Sequence, residues 1–293
     1  MEAFVILAVN PGSTSTKICV YYNNKPVFLK TIRHKHEDLA QFHRVSDQFE
    51  FRKEIVLKEL DNAEIDIDRI SAVVGRGGLI KPIESGVYAV NERMKEDLRA
   101  CNRGEHASNL GALIADDIAQ SLPNAKAYIA DPVVVDEMQD VARITGHPDF
   151  ERVSIFHALN QKAIARLYAS SLDKSYEELN LIVTHMGGGI SVGAHCRGKV
   201  IDVNNALNGE GPFAPERVGT VPAEQLARLC FSGKYTLEEM QRMISERGGL
   251  MAHIDTNDAY ELELMARGGD QNAKMLQDAM AVSYTHLRAH ETV

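Results

Sequence analysis

Val183-Thr184-His185-Met186-Gly187-Gly188-Gly189-Ile190-Ser191-Val192-Gly193 sets three successive glycines between two apolar, β-branched runs. Glycine tolerates positive φ and lets backbone approach a ligand closely, so this pattern predicts a hairpin whose turn N–H groups face a phosphate. The same device stands near the start. Val5 to Val9 is apolar, Asn10-Pro11-Gly12-Ser13-Thr14-Ser15-Thr16 is turn-forming and rich in hydroxyls, and Lys17 to Tyr22 resumes a strand pattern. Laid side by side, Asn10 falls opposite His185, Gly12 opposite Gly187, and Asn23-Asn24 near Gly198-Lys199. A third strand follows in each copy, Val27-Phe28-Leu29 and Val200-Ile201-Asp202-Val203. A unit used twice predicts two related lobes facing each other across a cleft; two unrelated hairpins with glycine turns are the plainer alternative.

The chain has 293 residues, 44% hydrophobic and 25% charged, with a net charge of −9. That length suits two domains, and the composition is that of an ordinary globular protein. The acidic balance argues against nucleic acid or an anionic membrane as partner, while leaving room for a locally basic phosphate site. The N-terminus enters strand directly, and no apolar run reaches membrane-spanning length, so a cytoplasmic location is expected. Cys19, Cys101, Cys196 and Cys230 are far apart and form no C-x-x-C pair, which predicts free, buried thiols. His34 and His36 lie in Arg33-His34-Lys35-His36, whose cations would repel a metal; a solvated surface is expected there.

Between the hairpins, residues 39–60 have a mostly helical spacing, and Ile70 to Val74 reads as a buried strand. This strand delivers Gly75-Arg76-Gly77-Gly78 at its C-terminal end, where ligands of open α/β sheets gather. Arg76 is therefore an anion-binding candidate, or else a solvated turn arginine. Residues 92–99 and 108–120 read as helices, with Gly104 to Asn109 either an N-cap or part of the cleft floor. Ala127 to Ala130 is a short strand ending in Asp131-Pro132. Asp131 could hold a magnesium ion or its water shell, or could merely initiate the turn before proline. His157 opens a helix running to about residue 172 that is expected to link the lobes, and it is either a structural histidine or a donor toward the cleft. The stretch from Asn204 to Gly219 is a Gly-, Pro- and Asn-rich loop too long for mere connection, with Arg217 its one cation. Residues 224–232, 237–246, 258–267 and 271–281 close the chain as helices.

Familiar alternatives are missing. Gly12 to Lys17 lacks the G-x-x-x-x-G-K-[ST] pattern and precedes a strand, and Gly187 to Gly193 is followed by a β-branched run where a dinucleotide fingerprint needs a helix. No G-x-S-x-G, H-E-x-x-H or paired C-x-x-C is present. Two glycine hairpins, Arg76, Arg217, His157, His185 and Asp131 supply what phosphoryl transfer needs: backbone donors, a metal, and cations for the charge on the equatorial oxygens. A carboxylate acceptor is already ionised at neutral pH, so positioning and charge cancellation would carry the catalysis.

Val9 to Lys17, Val73-Val74-Gly75-Arg76-Gly77-Gly78-Leu79, Ser154-Ile155-Phe156-His157 and Thr184 to Ser191 together resemble the acetokinase family, within the sugar kinase, heat-shock chaperone and actin superfamily. The resemblance runs from residue 1 to about residue 281. It implies an α/β architecture of duplicated ribonuclease H-like (actin-like ATPase) lobes, 1–155 and 156–281. It also implies reversible transfer of the terminal phosphoryl group of ATP to a short-chain carboxylate, giving an acyl phosphate and ADP with Mg2+ as cofactor. Butanoate is the expected acid, with acetate, propionate or a branched acid as the alternative. By the same resemblance, Asn10, Gly12, Ser13, Thr14, Ser15 and Lys17 form the N-terminal phosphate hairpin, and Gly187, Gly188 and Gly189 form its counterpart. Asp131 matches the aspartate associated with magnesium, His157 and His185 the histidines that contact the transferring group, and Arg217 the arginine that stabilises it. Arg76 stands where acetate kinases carry histidine, and Val73 where they carry arginine, so its charge would reach the carboxylate from a shifted position. A homo-oligomer is implied as well. Residues 282–293 match none of the family pattern and read as an extraneous tail. The C-terminal lobe would then be incomplete, which predicts a poorly stable chain that binds nucleotide weakly; a catalytically impaired fragment is the third reading.

Overall fold

The computed structural model describes residues 4–289, except for the side chains of residue 36 and residues 285–289. The chain divides into two compact units, residues 1–135 and 136–293.

The first unit is built on a six-stranded sheet in the order β3-β2-β1-β4-β6-β5. Strands β1 (Val5–Pro11), β2 (Ser15–Tyr22) and β3 (Lys25–Arg33) form an antiparallel meander, and β4 (Ile70–Arg76) joins β1 in parallel. Val5, Leu7 and Val9 are buried at alternate positions of β1, the period-2 face that the pleat turns toward one side. The outer strand β3 carries Lys25, Pro26, Lys30 and Arg33 along an exposed edge, residues that discourage further pairing. Helices α1 (His36–Ala40) and α2 (Phe49–Asn62) follow, with a 3₁₀ turn at Val45–Gln48 between them. Residues 39–60 are thus interrupted where the sequence shows neither glycine nor proline. Beyond β4 and β5 (Val87–Ala89), α3 (Glu92–Ala100) is capped by Asn91, whose Oδ1 accepts from Met94 N at 2.9 Å. Helix α4 (Asn109–Gln120) leads to β6 (Lys126–Ala130). α4 meets β4 backbone to backbone: a Cβ on Gly111 would lie 2.2 Å from Arg76 O, and one on Gly75 2.1 Å from Gly111 O.

The second unit begins at residue 136, not at 156 as the resemblance implies. The reason is a set of contacts within it. Lys162 Nζ lies 2.8 Å from a Glu137 carboxylate oxygen, which also accepts from Val200 N, while Gln139 N donates to Ile201 O and Ala206 N to Ile155 O. These tie α5 (Asp140–Arg143) and its flanks to the antiparallel sheet of β7 (Asn180–Met186), β8 (Ile190–Cys196) and β9 (Lys199–Val203). α6 (Ala158–Ser171) lies wholly in this unit and packs on β7 through Ala165 and Ala169, so it does not link the units as expected. Four further helices follow: α7 (Ala223–Cys230), α8 (Leu237–Ser245), α9 (Gly249–Ile254) and α10 (Ala259–Arg267). The last helix, α11 (Gln271–Ala289), runs across the expected tail boundary at 281/282. Residues 290–293 of that tail, and the side chain of His36, lie outside the described residues. Leu250, Leu262, Ala273 and Leu276 form a small core among these helices.

The two hairpins differ by one residue: four residues, 12–15, lie between the pair Pro11 and Thr16, and three, 187–189, between Met186 and Ile190, with Asn10 paired to Lys17 and His185 to Ser191. The four cysteines are free, but only Cys19 is buried.

Candidate active site

In the second unit, the turn after β7 brings His157, His185 and Arg217 together with Gly187, Gly188 and Gly189. His157 and His185 stack with ring centroids 3.7 Å apart and planes 9° from parallel. His185 sits near the end of β7, and His157 immediately precedes α6, so the sheet and helix that bury Ala165 and Ala169 also set the two rings face to face. Two imidazolium charges at about 4 Å would repel by roughly 4 kcal/mol at an effective dielectric of 20, which disfavours charging both rings together. His185 Nδ1 donates to Asn160 Oδ1 at 3.0 Å, and Ser191 Oγ lies 2.9 Å from His157 Nδ1.

The glycines of this turn are required for space. None of Gly12, Gly187, Gly188 and Gly189 has positive φ, contrary to the reason the sequence suggests. A Cβ on Gly189 would lie 1.7 Å from Arg217 Nη1, and one on Gly188 2.9 Å from Glu216 Oε2. Arg217 is therefore pressed flat onto the turn, and its Nη1 donates to Ala206 O. The long loop is fixed there by Glu216 N donating to Gly188 O and Ala214 N to Arg217 O. Asn204, buried, accepts from Val192 N and donates to Ile190 O, binding the loop's start to β8. Gly187 N donates to Gly189 O, closing the turn. Among the described residues, the N–H groups of Gly188 and Gly189 have no partner within the protein.

In the first unit, the turn after β1 closes one residue wider: Gly12 N donates to Ser15 O at 2.7 Å, and Ser13 and Thr14 present N–H groups that make no bond among the described residues. Asn10 and Lys17 form an exposed cross-strand pair, and Asn10 Oδ1 accepts from Arg76 Nη1 at 3.4 Å. Burial pulls the Arg76 pKa below the ordinary guanidinium value. Asn109 shapes the loop after Arg76, accepting from Leu79 N at 2.9 Å and donating to Gly104 O at 3.1 Å. The Gly104–Asn109 stretch thus acts through Asn109, while Ser108 makes no side-chain cap.

Sequence reasoning missed Arg52. Fully buried on α2, it donates through Nη1 to Gly12 O (2.9 Å), Ser15 O (3.3 Å) and Thr16 Oγ1 (3.0 Å), and through Nη2 to Ser13 O (3.2 Å). Gln48 Oε1 accepts from its Nε at 2.9 Å. With the turn's carbonyls drawn inward to one guanidinium, the opposing N–H groups are presented outward. Desolvation lowers the Arg52 pKa to about 10, still charged at neutral pH. The Thr16 hydroxyl, holding an Arg52 proton, donates in turn to His34 Nε2 at 2.9 Å. His34 is accordingly buried and not solvated as expected, and burial with the nearby Arg52 charge pushes its pKa down to about 4. No periodicity or motif flags a lone arginine in a charged helix.

Asp131 ends β6 with φ of 36°, a left-handed conformation that is strained for a residue with a side chain. Its Oδ1 accepts from Ser85 Oγ at 2.6 Å and from Gly86 N at 2.9 Å. Among the described residues no group of three or more His, Cys, Asp and Glu side chains could hold a metal ion. Mg2+ commonly takes one or two carboxylates with phosphate oxygens and waters, and one carboxylate held at a strand end fits that mode.

The acetokinase family profile matches residues 152–291. The chain is 58% identical over 275 residues to a protein named probable butyrate kinase from Phocaeicola vulgatus, covering 94% of this chain and 77% of that one. It is 54% identical over 277 residues to butyrate kinase 2 of Clostridium acetobutylicum, covering 94% and 78%. Among solved structures it resembles the acetate kinase of Porphyromonas gingivalis, with a TM-score of 0.76 at 15% identity over 98% of this chain and 79% of that one. A propionate kinase from Francisella tularensis gives 0.73 at 19% identity, over 98% and 80%. These two likenesses establish the actin-like fold, and the two curated relatives establish descent: the chain belongs to the acetokinase family.

Proposed function

We propose that the chain is a carboxylate kinase that moves the terminal phosphoryl group of ATP reversibly onto butanoate, giving butanoyl phosphate and ADP. The observation that carries this reading is the stacked His157–His185 pair at a triple-glycine turn on which Arg217 is pressed. Butanoate as the acid rests on the names of the two relatives.

The transferring group carries negative charge on three equatorial oxygens, and fixed donors that need no reorganisation stabilise it best. His185, its Nδ1 committed to Asn160, presents Nε2 on the turn side, and Arg217 adds a delocalised cation. The N–H groups of Gly188 and Gly189 in one turn, and of Ser13 and Thr14 in the other, receive phosphate oxygens. Asn10 and Lys17 flank the second of these turns. Arg76 is assigned to the acid's carboxylate. That carboxylate is ionised at neutral pH, so no general base is required. Asp131 would hold Mg2+ or its water shell, and the ion when bound neutralises phosphate charge.

No helix among the described residues is long and apolar enough to cross a membrane. Reaction in the cytoplasm is part of the proposal, as is a homo-oligomer, supported by exposed Leu159, Ile164, Leu167 and Tyr168 on α6.

Hydroxylamine trapping of acyl phosphate tests the reading. With ATP and Mg2+, butyrate should give hydroxamate with a higher kcat/KM than acetate, for this chain and for one extended to the length of its relatives. Butyrate carries two methylenes more than acetate, each worth about 1–3 kcal/mol, so a preference of roughly thirtyfold or more is expected. Hydroxamate from neither acid in both proteins would refute the function, and acetate preferred over butyrate would reassign the acid.

A further inference from the structure

The second unit contains buried polar side chains that the proposed chemistry does not use: Tyr176, His195 and Gln161. They form one continuous chain of hydrogen bonds ending at His157. Tyr176 Oη lies 2.6 Å from His195 Nδ1, and His195 Nε2 lies 2.9 Å from Gln161 Oε1. Gln161 Nε2 then donates to Ser191 O at 3.0 Å and to Ser191 Oγ at 2.8 Å, and that hydroxyl lies 2.9 Å from His157 Nδ1. Gln161 and Ser191 are fully buried and His195 nearly so.

The direction of the bonds from Tyr176 to Ser191 Oγ follows from one atom. A backbone carbonyl only accepts, so Ser191 O forces the Gln161 amide nitrogen toward β8 and its oxygen toward His195. Gln161 Oε1 requires a proton on His195 Nε2. The neutral ring then has a lone pair on Nδ1, which takes the Tyr176 hydroxyl proton. Burial, together with the nearby Lys162 charge, pushes the His195 pKa down to about 4, so this ring is neutral at physiological pH. At the other end, Ser191 Oγ receives the second Gln161 N–H and has its own proton left to give. His157 Nδ1 is the nitrogen 2.9 Å from that hydroxyl.

We infer that Tyr176, His195, Gln161 and Ser191 form a one-way relay that holds His157 neutral with its proton on Nε2, leaving any charge of the stacked pair to His185. Gln161 and Ser191 are positioning residues: they act through His157. The relay makes His157 Nε2 a hydrogen-bond donor, and it prevents both stacked rings from competing for the same proton. Its consequence for catalysis rests on the phosphoryl-transfer role proposed above, whereas the tautomer itself does not.

The test is the full-length protein carrying 15N-labelled histidine, read without substrate at neutral pH by long-range 1H–15N correlation, with His157 assigned by its loss in His157→Gln. The expected pattern is an unprotonated Nδ1 and a protonated Nε2 on both His157 and His195. Gln161→Glu replaces the donor facing Ser191 Oγ with an acceptor; the hydroxyl turns away, and the His157 proton should shift toward Nδ1. Ser191→Ala removes the donor and should shift it partly the same way, lowering kcat about tenfold or more with little change in the KM for ATP. A proton on Nδ1 of wild-type His157, as tautomer or as imidazolium, overturns the relay without any variant having to fold. A His157 pattern unmoved in both variants, each shown folded by circular dichroism, overturns it as well. Failure to form acyl phosphate alongside the expected tautomer would remove the kinase reading and leave the relay standing.

Discussion

Replacing Gly189 by alanine separates space from conformation at the β7–β8 turn. The residue has no positive φ, so alanine meets no backbone strain there. Its Cβ, however, would lie 1.7 Å from Arg217 Nη1, 2.6 Å from Arg217 Cζ and 3.0 Å from Ala206 O. Carbon contacts settle near 3.5–4.0 Å, so the guanidinium must retreat by roughly 2 Å and give up its bond to Ala206 O. Displacing a catalytic group by about 1 Å can cost on the order of 100-fold, or about 2.7 kcal/mol of transition-state stabilisation. Gly189→Ala should therefore lower kcat for hydroxamate formation about 100-fold or more. Stability should fall by only about 1–2 kcal/mol, because the obstructed group is the end of a flexible side chain. Gly188→Ala, whose Cβ meets a Glu216 carboxylate oxygen at 2.9 Å, should cost less than a tenth of that effect. Steady-state trapping kinetics with a thermal melt of each variant measures both quantities. A folded Gly189→Ala enzyme with kcat within about threefold of wild type would show that Arg217 does not act from this position.

Three more outcomes follow from the buried groups. Arg52→Met strands the carbonyls of Gly12, Ser13 and Ser15 and should cost about 3–5 kcal/mol in urea unfolding while raising the KM for ATP; an unchanged midpoint would remove Arg52 as the pin of the phosphate turn. Folded His195 takes its proton only near pH 4, whereas the unfolded chain takes it near 6.5, so stability is complete above pH 6.5 and falls as the pH drops toward 4. The loss is about 3 kcal/mol for His195, and His34 adds to it in the same direction; a stability flat from pH 7 to 4.5, or rising on acidification, would contradict the burial of both rings. Gly111→Ala, with its Cβ 2.2 Å from Arg76 O, should lower the melting temperature by several degrees, and a variant as stable as wild type would refute the backbone contact between α4 and β4.

The hairpins were legible because two signals coincide there: apolar, β-branched runs and, between them, a run of residues that cannot continue a strand. Groups lying on those hairpins or at strand ends, His185, Asn10, Asp131 and Arg76, could be placed by position alone. Groups that act across sequence distance could not. Arg52 meets the turn from 36 to 40 residues away, and Gln161 meets Ser191 across 30. His34 looked solvated beside Arg33 and Lys35, yet Thr16 on β2 provides a partner and Phe51 of α2 packs against the buried ring, with centroids 5.5 Å apart. The break between α1 and α2 has no glycine or proline to announce it, and α9 is a six-residue helix too short to show periodicity. Of the two reasons the sequence offers for the glycines of the β7–β8 turn, positive φ fails: they make room for Arg217 and Glu216 without left-handed backbone.

In the proposed mechanism His185 and Arg217 hold the phosphoryl group while it is in flight. ADP with aluminium fluoride, magnesium and butyrate mimics that planar group, and calorimetry of this complex against ADP alone isolates binding to it. Arg217→Met and His185→Asn should each weaken the fluoride complex by about 100-fold while leaving ADP affinity within about twofold. Equal affinity of wild type and both variants for the fluoride complex would contradict it.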